Sequence, residues 1–320
     1  MRPILLAALA VTGLLGGTAE AAKVDMVVPF GNLLVLSPKT PGPGGPKPYT
    51  MTNPAARWSI AQWDIPGGAL SPFVTQQHDD LVTILKSHSK EASVQIIRTL
   101  AGETLRLTQT GAPLSCLTPD GTPRESDLFA SPNGGAKYGV GRPGLLLPGD
   151  KIPTLTQMTR LEQSFTLSVV QGLAPTHKGC AVNQGGALIA LILQTPATHP
   201  IQTLFYQMTL SRICGPGTAA RVRLCNAPPT HPSWFFVKNP FGVDDVLPLA
   251  GQPFLASGET RNVSLNLLPR LIDVVKNSPP GMDHNPADWK VTGVYIGQHI
   301  WGDVTLQSTW ANYRLVAVTP

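Results

Sequence analysis

Apolar and polar residues alternate along much of the chain with the two-residue period of β-strands. Leu161, Gln163, Phe165, Leu167 and Val169 share one face, and Glu162, Ser164, Thr166 and Ser168 share the other. Arg57 to Asp64 alternates in the same way, with Trp58 and Ile60 set against Trp63. Ala92 to Leu100 and Glu103 to Thr110 flank Ala101-Gly102, which predicts a hairpin. Ala187 to Leu193 is apolar at every position, as a strand covered on both faces would be. Ile201 to Ile213 and Ser233 to Val237 predict two further strands. Between these runs, residues 111–157 are rich in Gly, Pro, Asn and Asp and predict a long functional loop or a covering flap. Residues 38–48 form a Pro/Gly stretch that neither a helix nor a central strand accepts.

One segment follows the helical period instead. Leu267, Leu268, Leu271, Ile272 and Val275 recur at helical spacing, Pro269 suits a first turn, and Ser278-Pro279-Pro280-Gly281 stops the helix. A single short helix before the last strands, among about ten strands, predicts an all-β fold. The architecture expected is a two-sheet β-sandwich of jelly-roll type. The chain divides into a leader at residues 1–21, a Pro/Gly-rich segment at 22–50 and one sandwich domain at 51–320.

Composition agrees. Charged residues make up 13% of the chain, and 31 Gly and 32 Pro leave little that would solvate the outer faces of many helices. A hydrophobic share of 42% with a net charge of +5 excludes a disordered chain. Arg2, the apolar run Ile4 to Leu15 and the small-x-small site Ala19-Glu20-Ala21 have the layout of a secretory signal peptide. The predicted location is therefore secreted or periplasmic, with the mature chain starting near Ala22 and no membrane span. Four cysteines without a CxxC pair suit two structural disulfides. Cys214 and Cys225 flank the turn Gly215-Pro216-Gly217, leaving Cys116 to pair with Cys180. The basic residues form no dense cluster, so a nucleic-acid partner is not expected. A monomer without cofactors is.

The richest chemistry lies near the C-terminus. Strict alternation from residue 289 puts Val294, Ile296 and Ile300 on one face. It puts Trp289, Val291, Gly293, Tyr295, Gly297, His299 and Trp301 on the other. Aromatic rings beside hydrogen-bonding groups suit a sugar polymer, whose rings stack on Trp or Tyr while their rims need donors and acceptors. Tyr295, Gln298, His299, Trp301 and Trp289 are the candidate ligand residues. Trp310 and Tyr313 follow on the last strand.

The order of helix, long strand ending Gly297-Gln298-His299-Ile300-Trp301-Gly302, and final Thr/Ser-rich strand resembles the end of the family-12 glycoside hydrolases, secreted jelly-roll endoglucanases. The resemblance implies a sheet face that holds a β-linked glucan. It also implies an acid/base glutamate where this chain has His299, and a nucleophile in a Glu-x-Met-x-Trp pattern that this chain lacks. Glycosidases need two carboxyl groups, about 5 to 5.5 Å apart when retaining and about 6.5 to 9.5 Å when inverting.

The expectation is thus a protein that binds a polysaccharide or oligosaccharide without hydrolysing it. A hydrolase or lyase is the alternative, with Glu162 or Asp303 as weak catalytic candidates and Asp64 as a partner. A structural envelope or matrix protein is the third. His78-Asp79-Asp80 and Asp283-His284 with Asp288 contain metal-ligand residue types but lack zinc-type helical spacing. Asp244-Asp245 offers oxygens that a calcium ion could use.

Overall fold

The computed structural model describes residues 21–27, 36–38, 58–63, 65, 70–71, 73–111, 125–132, 145, 150–173, 183–196, 201–214, 233–245 and 254–320. In chain order the first strands are β1 (Ala22–Asp25), β2 (Leu36–Pro38), β3 (Trp58–Trp63), β4 (Val74–His78), β5 (Val82–His88), β6 (Ala92–Thr99), β7 (Gly102–Thr110) and β8 (Glu125–Pro132). There follow β9 (Arg160–Leu173), β10 (Gln184–Gln194), β11 (Thr203–Thr209), β12 (Ile213–Cys214), β13 (Ser233–Val237), β14 (Phe241–Asp245), β15 (Thr260–Asn266), β16 (Lys290–Trp301) and β17 (Thr305–Thr319).

An eight-stranded sheet runs β15-β9-β17-β7-β6-β5-β4, with β1 also pairing β17. A nine-stranded sheet runs β13-β14-β11-β10-β16-β8-β3-β2, with β12 also pairing β10. Pairing is antiparallel except between β11 and β14 and between β2 and β3. From β7 onward the chain crosses repeatedly between the sheets, giving the all-β jelly-roll sandwich that the alternation predicts. The core lies between them, with Trp58, Ile60, Leu105, Leu107, Leu161, Ile189, Leu191, Ile296 and Leu315 all buried. Residues 1–20 of the predicted leader, residues 39–48 of the Pro/Gly stretch and three of the cysteines lie outside the described residues, whereas β1 and β2, from the segment predicted at 22–50, pair into the two sheets.

The hairpin forms as β6 and β7, with Gly102 at φ +129 closing the turn opposite Thr99. The one α-helix among the described residues is Leu268–Lys276, and Leu268, Leu271, Val274 and Val275 bury its apolar face. None of the described helices is long and apolar enough to cross a membrane. Arg270 reaches from the helix to the fully buried Asp245 of β14 with two hydrogen bonds. Tyr206 Oη of β11 donates to the same carboxylate at 2.7 Å. Asp245 is therefore an internal anchor for the helix rather than a loop ligand for calcium.

The structure departs from the sequence patterns in two ways. The stretch 111–157 is not all loop, because it contains β8, which sits between β16 and β3 inside the nine-stranded sheet. Two of the β-bulges also shift the alternation around the C-terminal aromatic residues. In β16, Ile192 opposes Gly293 while Leu193 opposes Val291, so Thr292 is an extra residue. Trp289 and Val291 consequently face the core with Val294, and Trp289 Nε1 donates to the Asp283 carbonyl at 2.9 Å. Trp289 is a core residue and not a ligand residue. In β17 the register shifts between Ala311 and Arg314, with Asn312 at φ +54, which turns both Trp310 and Tyr313 inward.

Gln298 also lies off the ligand face, on the inward side that alternation gives it with Ile296 and Ile300. Its side chain is fully buried between the sheets, where Nε2 donates to Gln109 Oε1 at 3.1 Å and to the Leu306 carbonyl at 3.0 Å. Ser308 Oγ donates to Gln298 Oε1 at 2.6 Å, and Trp310 Nε1 donates to Ser308 Oγ at 3.1 Å. Gln109 Nε2 in turn donates to the carbonyl and hydroxyl oxygens of Ser126, at 3.2 and 3.0 Å. Each group stripped of its partner in such a network costs about 1–3 kcal/mol. Gln298→Ala is therefore expected to lower unfolding stability by about 3 kcal/mol, and Trp289→Ala by about 3–5 kcal/mol. Urea unfolding measures both, and an unchanged midpoint for Gln298→Ala would show that the network is not a structural tie.

Candidate functional site

On the outer face of the nine-stranded sheet, the registers of β10, β16 and β8 set residues in rows. Gln184, Trp301 and Glu125 form one row, and Gly186, His299 and Asp127 form the next. Leu188, Gly297 and Phe129 follow, with Ala190 beside Tyr295 beyond them. Leu188, Ala190, Phe129 and Tyr295 make a small apolar cluster separate from the main core. The Phe129 and Tyr295 rings meet edge to face at 6.1 Å.

The polar centre of this face is His299, which is 5% exposed. Its Nδ1 lies 3.1 Å from Glu125 Oε1, and its ring lies 6.3 Å from that of the half-buried Trp301. Donor atoms of Glu125, Asp127 and His299 all lie within 4.8 Å of one another. Burial opposes a charged imidazole here. The hydrogen bond and charge of Glu125, with the Asp127 and Asp244 carboxylates nearby, nonetheless raise His299 above its ordinary pKa. Burial also opposes the Glu125 charge, but His299, helped by the Trp301 indole, holds that carboxyl below the ordinary range. Burial pushes the Tyr295 phenol up to about 12, so it is a neutral hydroxyl at ordinary pH.

Of the predicted ligand residues, Tyr295, His299 and Trp301 share this face, with Tyr295 two rows from His299, whereas Gln298 and Trp289 point into the core. Gly297 does not leave an open approach. A Cβ there would lie 2.3 Å from the Leu128 carbonyl and 2.7 Å from the Phe129 ring, so the glycine admits a neighbour within the sheet. Glu162 belongs to β9 in the other sheet and pairs with Arg160 at 3.2 Å and Lys23 at 3.8 Å. Asp303 sits in the turn after β16, where its backbone N–H donates to Asn183 Oδ1 at 2.9 Å. Neither adjoins the cluster as a second carboxylate on these rows, and Asp64 lies outside the described residues.

Asp79 accepts from the Leu81 and Val82 N–H groups and shapes a turn. Asp283 accepts from the Asn285 N–H beside the 3-10 turn Pro286–Asp288. Cys214 pairs in register with Gln184 and is disulfide-bonded, with its partner outside the described residues.

Glu125 and Asp127 were not among the sequence candidates. Their signal was present: Glu125, Asp127 and Phe129 alternate with Ser126, Leu128 and Ala130. The run is short and set between Pro123 and Pro132, so loop composition masks it.

No protein-family model and no curated protein matches the chain. Solved structures do resemble it at low identity. The family 11 xylanase of Neocallimastix patriciarum aligns at 7% identity and a TM-score of 0.31, covering 81% of this chain and 97% of that one. Endoglucanase 3 of Trichoderma harzianum, from family GH12, aligns at 8% identity and a TM-score of 0.32, covering 77% and 98%. The catalytic domain of Humicola grisea Cel12A aligns at 10% identity and 0.32, covering 69% and 92%.

The His299–Glu125 pair has a testable pH signature. His299 has its folded pKa raised, so its contribution is complete below the unfolded value and lost as pH rises through the raised one. Glu125 has its folded pKa lowered, so its contribution is lost as pH falls through that value. By NMR, the His299 imidazole should titrate above about 6.5, and its midpoint should fall in Glu125→Gln. An unmoved midpoint would contradict the pairing.

Proposed function

We propose that the chain is an exported protein that binds a polysaccharide or oligosaccharide on the outer face of its nine-stranded sheet. The observation that carries this reading is the grouping of the half-buried rings of Trp301 and Tyr295 with the polar centre of His299, Glu125 and Asp127. Sugar rings stack their apolar faces on aromatic side chains, and their hydroxyls pair with carboxylates and imidazoles. Export is supported by the leader-like Ile4 to Leu15 run and the four cysteines.

One observation favours hydrolysis as a second reading. The sequence patterns offered no carboxylate pair beside His299, but β8 supplies Glu125 and Asp127, with donor oxygens within 4.8 Å. A retaining pair stands roughly 5 to 5.5 Å apart, and donor oxygens of these two carboxylates fall inside that distance. Glu125, held ionised by His299, would suit the nucleophile or base and not the acid.

Incubation with a panel of soluble and insoluble glycans tests both readings, with depletion from solution and release of reducing ends measured together. Depletion without release is expected. Trp301→Ala should weaken binding at least about tenfold, or about 1.4 kcal/mol, with little change in melting temperature. Release that disappears in both Glu125→Gln and Asp127→Asn would establish the hydrolase instead. If neither depletion nor release occurs on any glycan, the saccharide reading is wrong and a structural envelope role replaces it.

A further inference from the structure

The same face has a property that does not depend on saccharide binding. We propose that Glu125, Asp127 and His299 form a site for one divalent cation of the zinc class. One imidazole and two carboxylates supply the donors, all within 4.8 Å of one another, with His299 Nδ1 and Glu125 Oε1 3.1 Å apart. Two donors each about 2.1 Å from one ion are about 3.0 Å apart at a right angle and about 3.4 Å apart at the tetrahedral angle. Small side-chain rotations therefore bring all three onto a single ion. The donors stand on two hydrogen-bonded strands, with Asp127 directly opposite His299, so the backbone beneath them is rigid.

A second observation points to a bound species. His299 Nε2 and Gln184 Oε1 are buried polar atoms without a hydrogen-bond partner, on residues 5% and 1% exposed. Gln184 stands on the same sheet face, one row from His299, and in His299's own row the Ser211 carbonyl closes over Gly186, where a Cβ would meet it at 2.4 Å. Buried polar atoms are seldom left unpaired, and because the two ring nitrogens of an imidazole face opposite edges, an ion on His299 Nδ1 leaves Nε2 and Gln184 Oε1 to a second bound group such as a water. The donor chemistry selects the ion. Calcium and magnesium take oxygen ligands, whereas an imidazole with carboxylates suits zinc and similar metals. Three protein donors leave a position for water or a sugar hydroxyl. The Glu125 side chain, 40% exposed, leaves the ion a way in.

The test is calorimetric titration of the full-length protein, stripped with EDTA and dialysed, with zinc chloride and no glycan present. One saturable site of micromolar or tighter affinity is expected. Asp127→Asn and Glu125→Gln should each weaken it at least about tenfold, and zinc should shift the His299 imidazole resonances. If one variant fails to fold, the other decides. Absence of saturable binding, equal affinity in the folded variants, or unmoved His299 resonances would each overturn the site. Glycan depletion repeated in EDTA keeps the two readings separate. Zinc binding without glycan binding overturns the proposed function alone, and glycan binding without zinc binding overturns the cation site alone.

Discussion

The buried hydrogen-bond chain through Gln298 and Gln109 is the constraint on which the outer face depends. It joins β16 and β8 of one sheet to β17 and β7 of the other, with Gln298, Gln109, Ser126 and Ser308 all inaccessible to solvent. Apolar packing alone would let one sheet slide on the other at modest cost, since it is non-directional. Buried amides and hydroxyls permit one register, because any other would leave them unpaired. Ser126, held inward by Gln109, lies between Glu125 and Asp127. Strand alternation then obliges those two carboxylates to face outward.

Beside this tie, the two bulges decide which aromatic residues are structural. Thr292 in β16 and the segment around Asn312 in β17 each add to one strand without a counterpart in its neighbour. Each reverses the faces beyond it. The first turns Trp289 inward, and the second lets Trp310 and Tyr313 pack in one core with Phe165, whose ring lies 5.7 Å from Trp310. Only Tyr295 and Trp301 of the C-terminal aromatic group remain on the outer face. The helix is held by a different device, the Arg270–Asp245–Tyr206 cluster, on the buried core face of β11 and β14. Structural and candidate functional charges thus take opposite faces of the sheet, as the neighbours Asp245 and Asp244 of β14 show.

The His299 environment follows from these placements. A histidine beneath an aromatic strand face would ordinarily lose its proton to burial. Here the carboxylates of β8 and Asp244 of β14 approach from both sides, and their combined charge outweighs desolvation. The result is a compact group of opposite charges, an imidazole with carboxylates, set among rings that are only partly covered. Such a group can hold hydroxyls, a proton or a metal ion, depending on what reaches it.

Local pattern alone determined the class of fold, the β6–β7 hairpin, the apolar central strand β10 and the helix Leu268–Lys276, because strand and helix periods are properties of consecutive residues. It also determined that Tyr295, His299 and Trp301 share a face, since no bulge separates them. Tertiary structure decided the rest. A bulge is an insertion relative to a partner strand, so the inward turn of Trp289 cannot be read from β16 by itself. Alternation sets Gln298 inward with Ile296 and Ile300, but only the opposing sheet supplies Gln109 and Ser308 to satisfy its amide there. Glu125 and Asp127 lie 174 and 172 positions before His299 in the chain. Long-range strand pairing brings them to it, and no local period records which distant strand will become a neighbour.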